Sequence, residues 1–232
     1  MQIDERFRSF WAMKDVESYV LPARVESAGE ELANTISHAI GFVASVIVAP
    51  ILLDSAIHAG NPGFFLGVIV FMATMSMLYL SSTLYHAWPS ARGKSFWRVI
   101  DHSAIFLLIA GTYTPFGLGP LRESGGLIML GAVWLLAIFG VVMKATHGTS
   151  RHPKLSMSLY LGTGWLGLIV IRPLALVIPM SALIWLIAGG VAYTAGTLFF
   201  VNNRLRYAHL VWHLFVLAGT SCHFVAVISC AA

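Results

Sequence analysis

Near its C-terminal end, inside an otherwise apolar stretch, the sequence reads His209-Leu-Val-Trp-His213. Two imidazoles four residues apart share one face of a helix, and so apolar a run tolerates them only where a partner offsets their polarity. His86, in Ser82-Thr-Leu-Tyr-His86, and Asp101, a carboxylate deep in another apolar run, complete a set with zinc-ligand chemistry. Neutral imidazoles bind zinc at about 2.0–2.1 Å, and a catalytic site keeps three protein ligands and one open position. On this reading His86, His209 and His213 are the ligands, and Asp101 either ligates directly or acts as a general base toward water. Ser82 lies one turn before His86 on the same face, where it serves as a hydrogen-bond partner or orients a substrate carbonyl. The competing reading of each histidine alone is an amphipathic side chain satisfied at a helix end.

The elements that must position these residues are legible from composition. Of the 232 residues, 58% are hydrophobic and 10% are charged, with a mean hydropathy of +0.80. Soluble domains carry about 25% charged residues, so the chain has too little charge to cover a water-facing surface. It reads as an all-α integral membrane protein. The net charge of +4 marks the cytoplasmic side of a membrane protein, not a nucleic-acid partner. No cleavable signal peptide is evident, because the first 30 residues hold Asp4, Glu5, Arg6, Arg8, Lys14, Asp15 and Glu17 without an apolar core. Cys222 and Cys230 lie about 12 Å apart along one helix, too far for a disulfide.

A spanning helix needs about 20 mostly apolar residues, and the sequence offers seven such stretches: 34–56, 64–87, 99–119, 124–145, 155–174, 178–200 and 208–229. Asn61-Pro-Gly63, Glu123-Ser-Gly-Gly126 and Asn202-Asn203 mark short turns. The fifth stretch is the least regular, with Arg172 near its end and Pro173 and Pro179 at the turn that follows. Residues 1–33 then form a cytoplasmic segment, and 34–232 a seven-helix transmembrane domain. In the former, Phe7, Phe10, Trp11 and Lys14 fit either a short interfacial helix or a basic tail. Sorted by loop, twelve of the 14 Lys and Arg residues fall on one side, leaving Arg122 and Arg172 on the other. The N-terminus is therefore expected in the cytoplasm and the C-terminus outside.

That topology sets His86, Asp101, His209 and His213 at one membrane depth. Glu31, Asn34 and His38, at offsets of three and four on the first span, join them as supporting residues. His58, His147 and His152 fall in loops. His102 adjoins Asp101 but points about 100° away on a helix, and is expected to be a bystander. His223 lies about 15 Å beyond His213 by helical rise, so it either bonds a neighbouring helix or lines an internal cavity. Pro115 is expected to kink span 3, freeing Tyr113 and Thr112 for hydrogen bonds within the bundle. Gly162, Gly164, Gly167, Gly189, Gly190 and Gly196 are expected to allow close helix packing.

Glu31-x-x-Asn34-x-x-x-His38-x-x-Gly41, Ser82-x-x-x-His86, Asp101 running into Ala110-Gly-Thr-Tyr-Thr-Pro115, and His209-x-x-x-His213 occur in that order. From about residue 26 onward the chain closely resembles the hemolysin III family, the prokaryotic branch of the progestin and adipoQ receptor family. The resemblance implies a seven-helix bundle with a cytoplasmic N-terminus and an intramembrane zinc near the cytoplasmic face of a bacterial inner membrane. It maps the family's ligands onto His86, His209 and His213, its aspartate onto Asp101 and its serine onto Ser82. It also implies either ceramidase-like hydrolysis, as in some eukaryotic relatives, or the haemolysis, pore formation and membrane lipid and energy homeostasis linked with bacterial members. The chain lacks the long N-terminal domain of the eukaryotic receptors, so no protein hormone is expected as a ligand.

Two functions follow as expectations. The first is a zinc-dependent hydrolase of a membrane lipid amide or ester, with membrane lipids as partners and no nucleic acid. The second is a non-enzymatic, zinc-stabilised regulator of membrane state, or a permeabilising protein. A monomeric water-filled pore fits poorly, since the outer halves of the spans offer little polarity beyond Thr194, Thr220, Ser221 and His223.

Overall fold

The computed structural model describes residues 25–149, 151–202 and 205–231. The expected helix or tail around Phe7–Lys14 lies outside these residues. The described chain is helical, and it crosses in seven apolar spans. They are α1 (Ala28–His58), α2 (Pro62–Ala87), α3 (Ala91–Leu118), α4 (Leu127–His147), a fifth span in two pieces, α5 (Pro153–Gly164) and α6 (Ile171–Val177), then α7 (Met180–Phe200) and α8 (Ala208–Ser229).

Local chemistry sets the ends of these helices. Ser27 caps α1 through a reciprocal capping box with Glu30, which satisfies two of the unpaired N–H groups at a helix start. The helix therefore begins six residues before the expected 34. Ser90 caps α3 by accepting from Gly93 N–H, and carries that helix back through Lys94 and Arg98, eight residues before the expected 99. Asn61 caps α2, with Pro62 in its first turn. Between α3 and α4, a single wide turn at Arg122–Gly126 reverses the chain, with Gly125 at φ 89° where a side chain would be strained.

Ile40, Ile47, Ile51, Leu135, Leu176 and Leu198 are all more than half exposed. A water-soluble monomer rarely carries so much exposed apolar surface, whereas lipid requires it. α1, at 31 residues, is about 46 Å long and outruns a hydrocarbon core of about 30 Å.

The tightest crossing joins α2 and α3. A Cβ on Gly67 would stand 2.4 Å from Pro115 Cα, and one on Gly111 would stand 2.0 Å from Thr74 Oγ1. Pro115 thus lies in the last turns of α3 as a packing surface for α2. α7 and α8 form a second close pair, with Gly196 against Trp212 and Phe215, Gly219 against Tyr193, and Gly189 against His223.

The fifth span departs from the expected continuous helix over 155–174. It breaks at Trp165, passes through a 3-10 turn at Leu166–Val170 and resumes at Ile171. Nothing lies within 4 Å of a Cβ placed on Gly162 or Gly164, so these glycines do not serve the close packing expected of them. Tyr113 holds the break instead. Its hydroxyl donates to Gly164 O at 2.6 Å and accepts from Gly167 N at 2.9 Å, satisfying backbone groups that lipid cannot.

Candidate metal centre

Antiparallel connection brings the start of α1, the end of α2 and the starts of α3 and α8 to one end of the bundle. There His86, His209 and His213 each offer a ring nitrogen within 4.8 Å of the others. Their ring centroids are 4.6–5.1 Å apart. His86 and His213 are 5% and 1% exposed.

Hydrogen bonds hold two of the three rings through Nδ1. His86 Nδ1 lies 2.8 Å from Glu31 Oε2, and a carboxylate can only accept, so Nδ1 carries the proton. Ser37 Oγ lies 2.8 Å from Asn34 O and 2.9 Å from His213 Nδ1, and it meets both at once when its hydrogen goes to the carbonyl and His213 Nδ1–H donates to it. His86 therefore keeps a lone pair on Nε2, which is buried with no partner, and in the tautomer that donates to Ser37 the His213 ring keeps one on Nε2 as well. An imidazole fixed by a carboxylate or hydroxyl through its other nitrogen is the usual support of a metal-binding histidine. These residues fit a divalent ion with a preference for nitrogen ligands. No protein hydrogen bond fixes the His209 ring among the described residues.

The supporting residues divide. Glu31 joins the centre directly, accepting from His86 and, through its other oxygen, from Lys94 Nζ. Asn34 donates to Glu26 Oε2 at 2.9 Å and lends its carbonyl to Ser37. His38 is not one of the three clustered nitrogens. It stacks on His213, with centroids 3.6 Å apart and planes at 9°, and neither of its nitrogens has a partner at hydrogen-bonding geometry. Tyr113 lies away from the histidines and holds the broken fifth span.

Asp101 is buried and stands beside Ser82, whose hydroxyl has no partner at full hydrogen-bonding geometry. Of the two, Asp101 offers no atom to the group within 4.8 Å. Both line a cavity of about 180 Å³ with His38, His209 and His213. The cavity runs on through the bundle past Tyr193 and His223 to Leu121 and Leu183, and α5, α6 and the turn between them wall one side. His223 meets both expectations, since it lines this cavity and its Nε2 lies 3.2 Å from Leu186 O. His102, expected to be a bystander, lines the cavity as well.

Ser37, Lys94 and Glu30 were not singled out in the sequence. Ser37 lies three residues after Asn34, on the face already marked, and was legible there. Lys94 looked like loop charge until the Ser90 cap placed it on α3. Glu30 accepts from the N–H of Tyr207 at 2.8 Å and from Ser27. It thereby ties the start of α1 to a residue held at φ 58° just before His209, and no short motif announces such a long-range bond.

Residues 27–224 match the family model described as Haemolysin-III related. The chain is 39% identical over 199 residues to the Hemolysin-3 homolog of Bacillus subtilis (strain 168), covering 86% of this chain and 93% of that protein. It is 40% identical over 202 residues to Hemolysin-3 of Bacillus cereus, covering 86% and 90%. More distantly, it is 24% identical over 211 residues to the monocyte to macrophage differentiation factor of Homo sapiens, covering 85% and 83%. No solved structure matches the chain. With the family model and both Bacillus relatives spanning nearly the whole bundle, the chain belongs to the haemolysin-III-related family of multi-pass membrane proteins.

Proposed function

We propose that the protein is a zinc-dependent hydrolase acting on an amide or ester bond of a membrane lipid. The observation that carries the reading is the pair of ring nitrogens, on His86 and His213, left free by hydrogen bonds at the opposite nitrogen and converging with His209 beside a buried carboxylate and an apolar cavity. His86, His209 and His213 would hold the ion. Zinc, when bound, lowers the pKa of water and polarises a carbonyl. Asp101, outside the ligand cluster, takes the proton of the attacking water as general base. Ser82, beside it, donates to the carbonyl oxygen, and the apolar cavity excludes water and takes the acyl chain. Glu31 and Ser37 hold two of the rings in orientation.

The basic loops support an N-terminus in the cytoplasm, which puts this end of the bundle at the inner face of a bacterial plasma membrane. The name of the Bacillus cereus relative motivates a second reading, membrane permeabilisation around a structural ion. The concentration of acidic and imidazole groups at one end of the cavity supports chemistry over conduction. Zinc content and turnover of acyl amides and esters should be measured in detergent-purified protein and its His213→Ala variant. The proposal expects the variant to lose both, and retention of both would refute the ligand assignment. Zinc-dependent solute flux from liposomes whose lipids stay unchanged would favour permeabilisation.

A further inference from the structure

α3 presents two neighbouring rows to the cavity. Asp101, Leu108 and Thr112 stand in one, and His102, Ile109 and Tyr113 in the next. A helical face about 100° wide includes consecutive residues, so the angle between Asp101 and His102 does not remove His102 from the site. His102 lies deep in the bundle yet keeps accessible surface, and that surface faces the cavity it lines. No described residue hydrogen-bonds its ring.

Its backbone is anchored. Tyr160 on α5 donates its hydroxyl to His102 O at 2.8 Å. The Phe200 ring stands 6.1 Å from the His102 ring and 6.0 Å from that of His209, so one aromatic neighbours both His102 and the ligand cluster. A neutral imidazole carries one N–H donor and one acceptor lone pair, and leaving both unmet inside an apolar wall is costly unless a ligand or water meets them.

We propose that His102 is a substrate-binding residue, making a hydrogen bond to the polar group of a single-chain acyl amide or ester whose tail fills the cavity. The choice of ligand rests on the hydrolase reading, while the contact itself does not require turnover. Asp101 and Ser82 then serve the carbonyl, and His102 holds the head-group side of the linkage.

The test is equilibrium binding of radiolabelled N-palmitoyl ethanolamine to the full-length, zinc-loaded protein in detergent, with zinc content measured on the same samples. His102→Leu should weaken binding about 10-fold, the effect of one hydrogen bond in a dry site, with zinc unchanged. His102→Gln, which keeps a donor and an acceptor, should restore binding to within about 3-fold of the parent. Parental affinity in His102→Leu, no saturable binding by the parent, or equal losses in both variants together with loss of zinc would each overturn the proposal. A parent that binds the amide but never cleaves it, with His102→Leu binding weakly, would sink the hydrolase reading and leave this inference standing. A parent that cleaves it, with KM and affinity unchanged in His102→Leu, would do the reverse.

Discussion

The two sides of the cavity are built by opposite means. On one side, α2 and α3 meet at Gly67, Gly111 and Pro115 with backbones nearly touching, and α1 adds the hydrogen bonds that orient His86 and His213. On the other, the fifth span is broken, its 3-10 turn buries no residue, and open space surrounds Gly162 and Gly164. Ligands must be held within fractions of an ångström, whereas a lipid chain needs room, and under the proposed function these demands would fall to different helices.

The sharpest challenge to the ordered side is Glu31→Gln. It leaves His86 in place but weakens the acceptor that fixes its tautomer, and zinc affinity should fall roughly 10- to 100-fold, read by competition with a chromophoric chelator. Unchanged affinity would mean that the Glu31–His86 bond does not organise the centre. Next, Gly111→Val drives side-chain atoms into Thr74, and overpacking there should cost about 1–3 kcal/mol in reversible unfolding in mixed micelles. Tyr113→Phe tests the join between the two sides, because it strands Gly164 O and Gly167 N–H. A loss of about 1 kcal/mol is expected, with zinc affinity unaltered. The smallest effect belongs to the loose side. Gly162→Ala meets no neighbour and should be neutral or stabilising by up to about 1 kcal/mol. A large destabilisation by Gly162→Ala would erase the contrast.

The sequence exposed the ordered side far better than the loose one. Seven apolar runs and short turns gave the spans, and His86, His209 and His213 could be chosen because an unpaired imidazole is conspicuous among Leu and Val. The early starts of α1 and α3 were hidden because Ser27 and Ser90 act through caps, which hydropathy does not register. The fifth span read as one helix because its break depends on Tyr113, 50 residues away from Thr163 in the chain. Sequence alone does not distinguish Gly67 and Gly111 from Gly162 and Gly164, since a glycine does not reveal whether another backbone lies against it. Its angle to Asp101 does not predict that His102 lines the cavity, because the width of the face that α3 turns to the cavity depends on how its neighbours stand around it.

X-ray absorption at the zinc edge, on protein purified without added chelator, tests the central claim most directly. The account predicts a first shell of three imidazole nitrogens and one oxygen donor at about 2.0–2.1 Å, with the imidazole scattering reduced in His86→Ala. A metal-free protein that fails to take up zinc, or a shell without histidine, would contradict it.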